Sequence, residues 1–171
     1  MKNLFLVYDD CCFYEIVILS YFMKFTGEEA LLCSIDGKSI NCMEGYSVNV
    51  DSTLKDVDID NIKSLVIPGG DITKINIPEV HEVIRALADK GALVTAICAG
   101  VDVLDEAGVL KDVKSTHSED LDVVSEKNIV TARANAYVDF AIEVAKKLEL
   151  FEDERDLQET IDFWKYHKRM D

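Results

Sequence analysis

Ala92-Leu93-Val94-Thr95-Ala96-Ile97-Cys98-Ala99-Gly100 decides how the rest of the chain is read. The run is apolar and rich in β-branched residues, the composition of a strand buried on both faces. It stops at a cysteine flanked by small residues, and helical spacing resumes at Val101. A buried strand that turns directly into a helix leaves one side chain standing on the turn. That is the geometry of a nucleophile elbow, here with sulfur in place of a hydroxyl. N–H groups at a helix N-terminus favour thiolate over thiol, so the stretch predicts a reactive Cys98 of lowered pKa. The competing reading is a small buried hydrophobe that closes a strand, the ordinary role of a free cysteine.

Outward from the elbow the same alternation recurs. Leu4-Phe5-Leu6-Val7-Tyr8 and Ser64-Leu65-Val66-Ile67 read as buried strands, and Ala30 to Ile35 as another. Asp36-Gly37 predicts a tight hairpin turn from that strand into Ser39-Ile40. Tyr46 to Val50 reads as a short strand, and Thr53 to Asp60 as a short helix or loop. Phe13 to Thr26 predicts a helix stopped by Gly27, Pro78 opens one running to Gly91, and Val101 to Ala107 forms one stopped at Gly108. Leu121 to Val124 and Asn128 to Thr131 predict two strands around a Glu126-Lys127 turn. Asn135 to Leu148 and Glu152 to Lys168 are the closing helices. The second has a Leu157, Ile161, Trp164 stripe that needs an apolar surface, and its acidic start and basic end, Lys165 to Arg169, suit the helix dipole. Strands alternating with helices predict a doubly wound α/β sheet with helices on both faces.

At 171 residues the chain suits one domain, 1–171, with 149–171 as an appended C-terminal helix. Its 18 basic and 33 acidic residues give a net charge of −15, which argues against nucleic acid and against an anionic membrane surface. The most apolar run, Ile16 to Phe25, is broken by Ser20 and Lys24 and is too short to span a bilayer. Five cysteines without a C-x-x-C pair or a metal-ligand spacing with histidine predict no disulfide framework and no metal site. Met1 to Phe5 show no signal-peptide pattern, and the expected location is the reducing cytoplasm.

Ligands in such sheets sit outside the carboxyl ends of the strands. Three ends then converge on one edge: Asp9 to Glu15, Pro68-Gly69-Gly70, and Cys98. Gly69-Gly70 presents backbone amides, without side chains in the way, to a developing oxyanion; a turn that needs positive φ explains the same glycines. Glu15, near a helix start, either complements the dipole or, as a protonated carboxyl, hydrogen-bonds a Cys98 thiolate. Cys11 or Cys12 could resolve a sulfenic acid on Cys98, against the plainer reading of two loop residues. Asp9-Asp10 also suggests a receiver-type acidic pocket. That reading needs an aspartate where Pro68-Gly69-Gly70 stands, and it is rejected.

Ala96-Ile97-Cys98-Ala99-Gly100, Ile67-Pro68-Gly69-Gly70, Glu15-Ile16-Val17-Ile18 and Leu104-Asp105-Glu106-Ala107-Gly108-Val109-Leu110 resemble the ThiJ/PfpI (DJ-one-like) family. The resemblance runs in order from about Asn3 to about Leu148 and includes Thr131-Ala132-Arg133. It implies a flavodoxin-like three-layer sandwich with a mainly parallel central sheet, related to the class I glutamine amidotransferase fold, in a homodimer without a cofactor. It assigns Cys98 as nucleophile, Glu15 as its acid partner, and the amides of Gly70 and Ala99 as the oxyanion hole. Protease-like members carry His after the nucleophile, so Ala99 disfavours peptidase activity. Glyoxalase-like members bring a histidine from the segment where this chain has His117, which aligns ahead of the family's position and is an accessory candidate. His81 and His167 read as solvated.

The reading that follows is a cysteine-dependent enzyme acting on small carbonyl or amide compounds, a hydrolase or a glyoxalase/deglycase, by way of a thiohemiacetal or acyl-thioester. Its rival is a non-enzymatic oxidative-stress sensor in which Cys98 is oxidised and nothing is turned over.

Overall fold

In the computed structural model, which describes residues 1–169, the alternation becomes one seven-stranded sheet. The chain runs through β1 (Lys2–Leu6), α1 (Tyr14–Phe25), β2 (Ala30–Ser34), β3 (Ile40–Asn41), β4 (Ser47–Val48), β5 (Ser52–Thr53) and β6 (Ile62–Ile67). It continues through α2 (Pro78–Asp89), β7 (Leu93–Ile97), α3 (Gly100–Glu106), β8 (Val123–Glu126), β9 (Ile129–Ala132), α4 (Tyr137–Lys147) and α5 (Glu154–Trp164). The sheet order is β5-β2-β1-β6-β7-β9-β8. Every neighbouring pair is parallel except β8 with β9. α1 packs along α4, with α5 beside α4, while α2 lies against β6, β7 and α3. The result is the expected three-layer α/β sandwich.

A parallel sheet covered on both faces buries every residue of its central strands. All five residues of β7 are buried, as are Leu4, Phe5 and Leu6 of β1 and Leu65, Val66 and Ile67 of β6. β1 has β2 on one side and β6 on the other, so the chain changes direction across the sheet between them. Such a reversal opens a crevice outside the carboxyl ends of the strands.

Several local expectations are corrected. β2 is already bonded to β1 and β5, which leaves no edge for a hairpin partner after Asp36-Gly37. Asp36 instead turns the chain by accepting the Lys38 N–H at 3.1 Å, and β3 pairs with β4. β8 begins two residues later than expected: Leu121 is exposed, and the Asp122 carbonyl accepts the Arg133 N–H. α5 stops at Trp164, so the basic residues after it do not cap its dipole. Lys165 pairs with Asp139 at 2.5 Å and Lys168 with Asp162 at 2.8 Å. The N-terminal half of that expectation holds, since Asp153 accepts the N–H groups of Arg155 and Asp156.

The apolar surface that α5 needs is on this chain. Trp164 meets Tyr21 and Phe22 of α1 at ring distances of 5.6 Å each, and Phe151 meets Phe22 at 6.5 Å. A cleft of about 760 Å³ opens between these helices, well away from Cys98. Among the described residues no helix is long and apolar enough to cross a membrane.

Among the buried polar residues on the strands, one pair links β1 to β6. Asn3 and Ser64 are both fully buried on β1 and β6, and the Ser64 hydroxyl donates to Asn3 Oδ1 at 2.7 Å. Asn3 Nδ2 in turn donates to Glu28 Oε2 at 3.0 Å. Ser64→Ala leaves that buried amide oxygen without its donor, which costs about 1–3 kcal/mol. Urea denaturation of the variant should show this loss with an unchanged slope. Ser64→Ala combined with Asn3→Leu, which removes both partners, should lose less than the sum of the single changes.

Candidate active site

The parallel register builds the site. β1 pairs Phe5 with Val66, and β6 pairs Val66 with Thr95. Three residues further along each strand, the same row holds Tyr8, Gly69 and Cys98. Cys98 stands immediately after β7 with φ +57°, a left-handed conformation uncommon for a residue with a side chain. Ala99 returns to right-handed geometry and α3 starts at Gly100, so the chain turns at the sulfur-bearing residue as the elbow predicts. The Cys98 N–H is tied to the Ala132 carbonyl at the end of β9 at 2.9 Å.

Gly69 is the junction. Its N–H donates to Glu15 Oε2 at 2.7 Å, and its carbonyl accepts the Tyr8 hydroxyl at 2.8 Å and the Cys12 N–H at 2.9 Å. The Tyr8 hydroxyl also reaches the Pro68 carbonyl at 2.9 Å. A Cβ on Gly69 would lie 2.6 Å from Cys98 Cβ and 2.8 Å from its Sγ, so only glycine lets the turn approach the sulfur this closely. Gly70 has φ +121° and bridges Cys11. The two bonds of that bridge run from Cys12 N–H to Gly69 O and from Asp71 N–H to Asp10 O, so they leave the Gly70 N–H unused.

Glu15 is 1% exposed, and its helix is capped from elsewhere. Glu44, in the β3–β4 loop, accepts the Phe13 and Tyr14 N–H groups at 3.3 and 2.6 Å. The dipole role considered for Glu15 is thus filled by a residue 29 positions later in the chain. Burial raises Glu15 from 4.5 to about 7, against the opposing pull of the Gly69 N–H and the Cys98 thiol. Oε1 is buried and, among the described residues, has no hydrogen-bond partner.

The expected lowering of the Cys98 pKa is not what this geometry gives. Burial lifts the thiol above its ordinary value, and the Glu15 charge lifts it further; the Ala99 N–H alone among its main neighbours pulls the other way. α3 is only two turns long, and its N-terminus does not outweigh burial beside a carboxylate. The charge on Glu15 disfavours a Cys98 thiolate, so the two groups do not ionise independently.

The accessory candidates separate. Cys12 is partly exposed and feels the charges of Glu15 and Cys98; these and burial push it up to about 11. Cys11 is fully buried, and burial pushes it up to about 12, with Cys42 and Glu44 as its main charged neighbours. His117 lies over α3, with Nε2 3.1 Å from Asp102 and Nδ1 3.5 Å from Asp105, both carboxylates on the elbow helix. His81 bonds Asn76 at 2.7 Å. Asp9 and Asp10 shape loops: Asp9 Oδ1 accepts the Asn41 N–H at 2.8 Å, and Asp10 has φ +62°. Among the described residues no three metal-ligating side chains come together.

Two residues of the site were not anticipated: Tyr8 and Glu44. Tyr8 closes an apolar run as its one residue with a polar tip, a signal that a partner for the hydroxyl was needed. Glu44 acts across a loop and carries no local signal.

A model of the DJ-1/PfpI family matches residues 1–147. A deglycase of Thermococcus kodakarensis is 33% identical over 150 residues, 78% of this chain and 90% of that protein. A glutathione-independent glyoxalase of Caenorhabditis elegans is 24% identical over 79% of this chain and 81% of its own. The crystal structure of a DJ-1 superfamily protein from Agrobacterium tumefaciens superimposes with a TM-score of 0.87. It is 28% identical and covers 98% of this chain and all of the other.

A carboxyl held at about 7 in the fold and 4.5 when unfolded binds more protons folded than unfolded between those values. Its contribution is therefore fully present below pH 4.5 and is lost as pH rises through 7. Relative to Glu15→Gln, wild type should lose about 3 kcal/mol across that window. Urea titrations of both proteins at several pH values measure it. A difference that does not vary with pH would mean that Glu15 titrates in the fold as it does unfolded.

Proposed function

We propose that this chain, which belongs to the DJ-1/PfpI family, is a cysteine-dependent enzyme of the deglycase and glyoxalase type, acting on small carbonyl compounds and their adducts. The observation that carries the reading is the Gly69 junction, where one peptide holds the Glu15 carboxyl and packs against the Cys98 sulfur. The names of the Thermococcus and Caenorhabditis relatives support the reaction class.

The chemistry follows from the shared proton. The Cys98 proton passes to the Glu15 carboxylate, and the thiolate attacks the carbonyl carbon. A C–S bond forms and the carbonyl π pair moves to oxygen. The Gly70 and Ala99 N–H groups face that oxyanion, and Glu15 returns the proton to give a neutral thiohemiacetal. For a 2-oxoaldehyde, the carbon-bound proton moves to the neighbouring carbonyl oxygen to give an enediol, and the proton of the thiohemiacetal hydroxyl then moves to that neighbouring carbon, leaving an acyl-thioester. Water cleaves this to a 2-hydroxy acid and restores the thiol. An amide substrate uses the same attack and expels its amine. Glu15 handles protons at both stages, which suits a carboxyl poised near neutrality.

The test is consumption of methylglyoxal, and of its hemithioacetal with N-acetylcysteine, followed by absorbance and by chromatography of the hydroxy acid. Wild type should turn both over. Cys98→Ser should lose at least about 10³-fold in kcat, and Glu15→Gln about 10²-fold. Turnover that survives Cys98→Ser would remove the cysteine mechanism. A wild type that is inactive yet stoichiometrically oxidised at Cys98 by peroxide would leave the sensor reading in its place.

A further inference from the structure

The Glu15 carboxyl has two oxygens and one formed hydrogen bond. Oε2 accepts the Gly69 N–H, while Oε1 is buried without a partner among the described residues. A buried acceptor of this kind calls for a donor once it is charged. The side chains whose polar groups reach towards this carboxyl are Cys98 and Tyr14. Cys98 is the nucleophile in the reading above, so its proton is consumed by the chemistry. The Tyr14 phenol remains.

Tyr14 is braced at this edge of the sheet through its ring and its N–H. Its ring stands edge-to-face on Tyr137 at 5.5 Å and 86°, and its N–H is held by Glu44. Tyr137 opens α4, the helix that follows β9. The phenol also feels the charges of Glu15, Cys12 and Cys98.

We propose that Tyr14 is a positioning residue of this site, its hydroxyl donating to Glu15 Oε1 when the carboxyl is charged and so setting whether Glu15 or Cys98 keeps the shared proton. The proposal rests on Cys98 and Glu15 being the reacting pair. The charged and titratable groups that bear on Glu15 are Cys98, Cys12 and Tyr8 beside the junction and Glu44 across the β3–β4 loop; Asp102 bears on Cys98 from α3. Glu44 and Asp102 are acidic and oppose a charged carboxylate or thiolate. The Gly69 N–H and a neutral phenol are then the groups that favour the carboxylate.

A donor to a carboxylate lowers its pKa, so removing the Tyr14 hydroxyl raises Glu15, and the pair releases its proton at higher pH. The measurement is the pH dependence of iodoacetamide alkylation at Cys98, read by mass spectrometry of the cysteine peptide. Tyr14→Phe keeps the ring on Tyr137 and should move the lower midpoint up by about 0.5–1 unit. Tyr14→Leu should give the same shift with an additional loss in Tm, because the ring contact also goes. In a Glu15→Gln background, Tyr14→Phe should produce no further shift.

An unmoved midpoint in Tyr14→Phe overturns the proposal. So does an equal shift in the Glu15→Gln background, which would mean that Tyr14 acts on the sulfur directly. Alkylation uses no substrate, so absence of methylglyoxal turnover leaves this result standing. A Cys98 that fails to alkylate at any pH overturns the reacting pair and the role of Tyr14 together.

Discussion

The peptide of Gly69 is the constraint on which the site depends. Its N–H fixes a carboxylate, its carbonyl takes a phenol and the Cys12 amide, and its Cα lies against a sulfur. No loop needs to fold over to bring these groups together. The register of three parallel strands places Tyr8, Gly69 and Cys98 in one row, and α1 delivers Glu15 from the end of β1. The precision of the site is therefore that of the sheet's hydrogen bonds, and the same interactions that stabilise the fold hold Tyr8, Gly69 and Cys98 in their row.

The strained elbow and the raised proton affinities belong to one arrangement. The left-handed backbone at Cys98 lifts the sulfur out of the strand and towards Gly69, where it is half-buried beside a carboxyl. Burial then disfavours charge on either group, and each charge disfavours the other. A thiol in this position is not permanently ionised. In the proposed reaction it becomes a nucleophile when Glu15 takes its proton, and in a low-dielectric pocket that transfer moves charge without creating a second one.

Much of this was legible in the sequence. The elbow could be read because an apolar β-branched run ending in Cys98-Ala99-Gly100 has few other structural outcomes, and the Pro68-Gly69-Gly70 turn announced a close approach of backbone to something. Glu15 was visible as the one acid on an apolar helix face. The hairpin at Asp36-Gly37 failed because turn chemistry is local, whereas strand pairing was decided by β1 and β5 on either side of β2. The same limit hid Glu44: a cap supplied from 30 residues away leaves no periodicity to detect. The direction of the Cys98 shift was misjudged for a related reason. The helix N-terminus is a property of sequence, but the depth at which the sulfur is buried is a property of packing.

The electrostatics also bear on what such a site can accept. The charges acting on the reacting pair are acidic, from Glu44 and Asp102 and from the two groups upon each other, in a chain of net charge −15. An anionic substrate would have to enter against all of them. An uncharged aldehyde or ketone meets no such barrier, and in the proposed reaction it acquires negative charge only after the sulfur has bonded, at an oxygen faced by backbone N–H groups and a freshly protonated Glu15. In that order the pocket never holds two adjacent anions. The acidity that would exclude a carboxylate therefore costs a neutral carbonyl compound little.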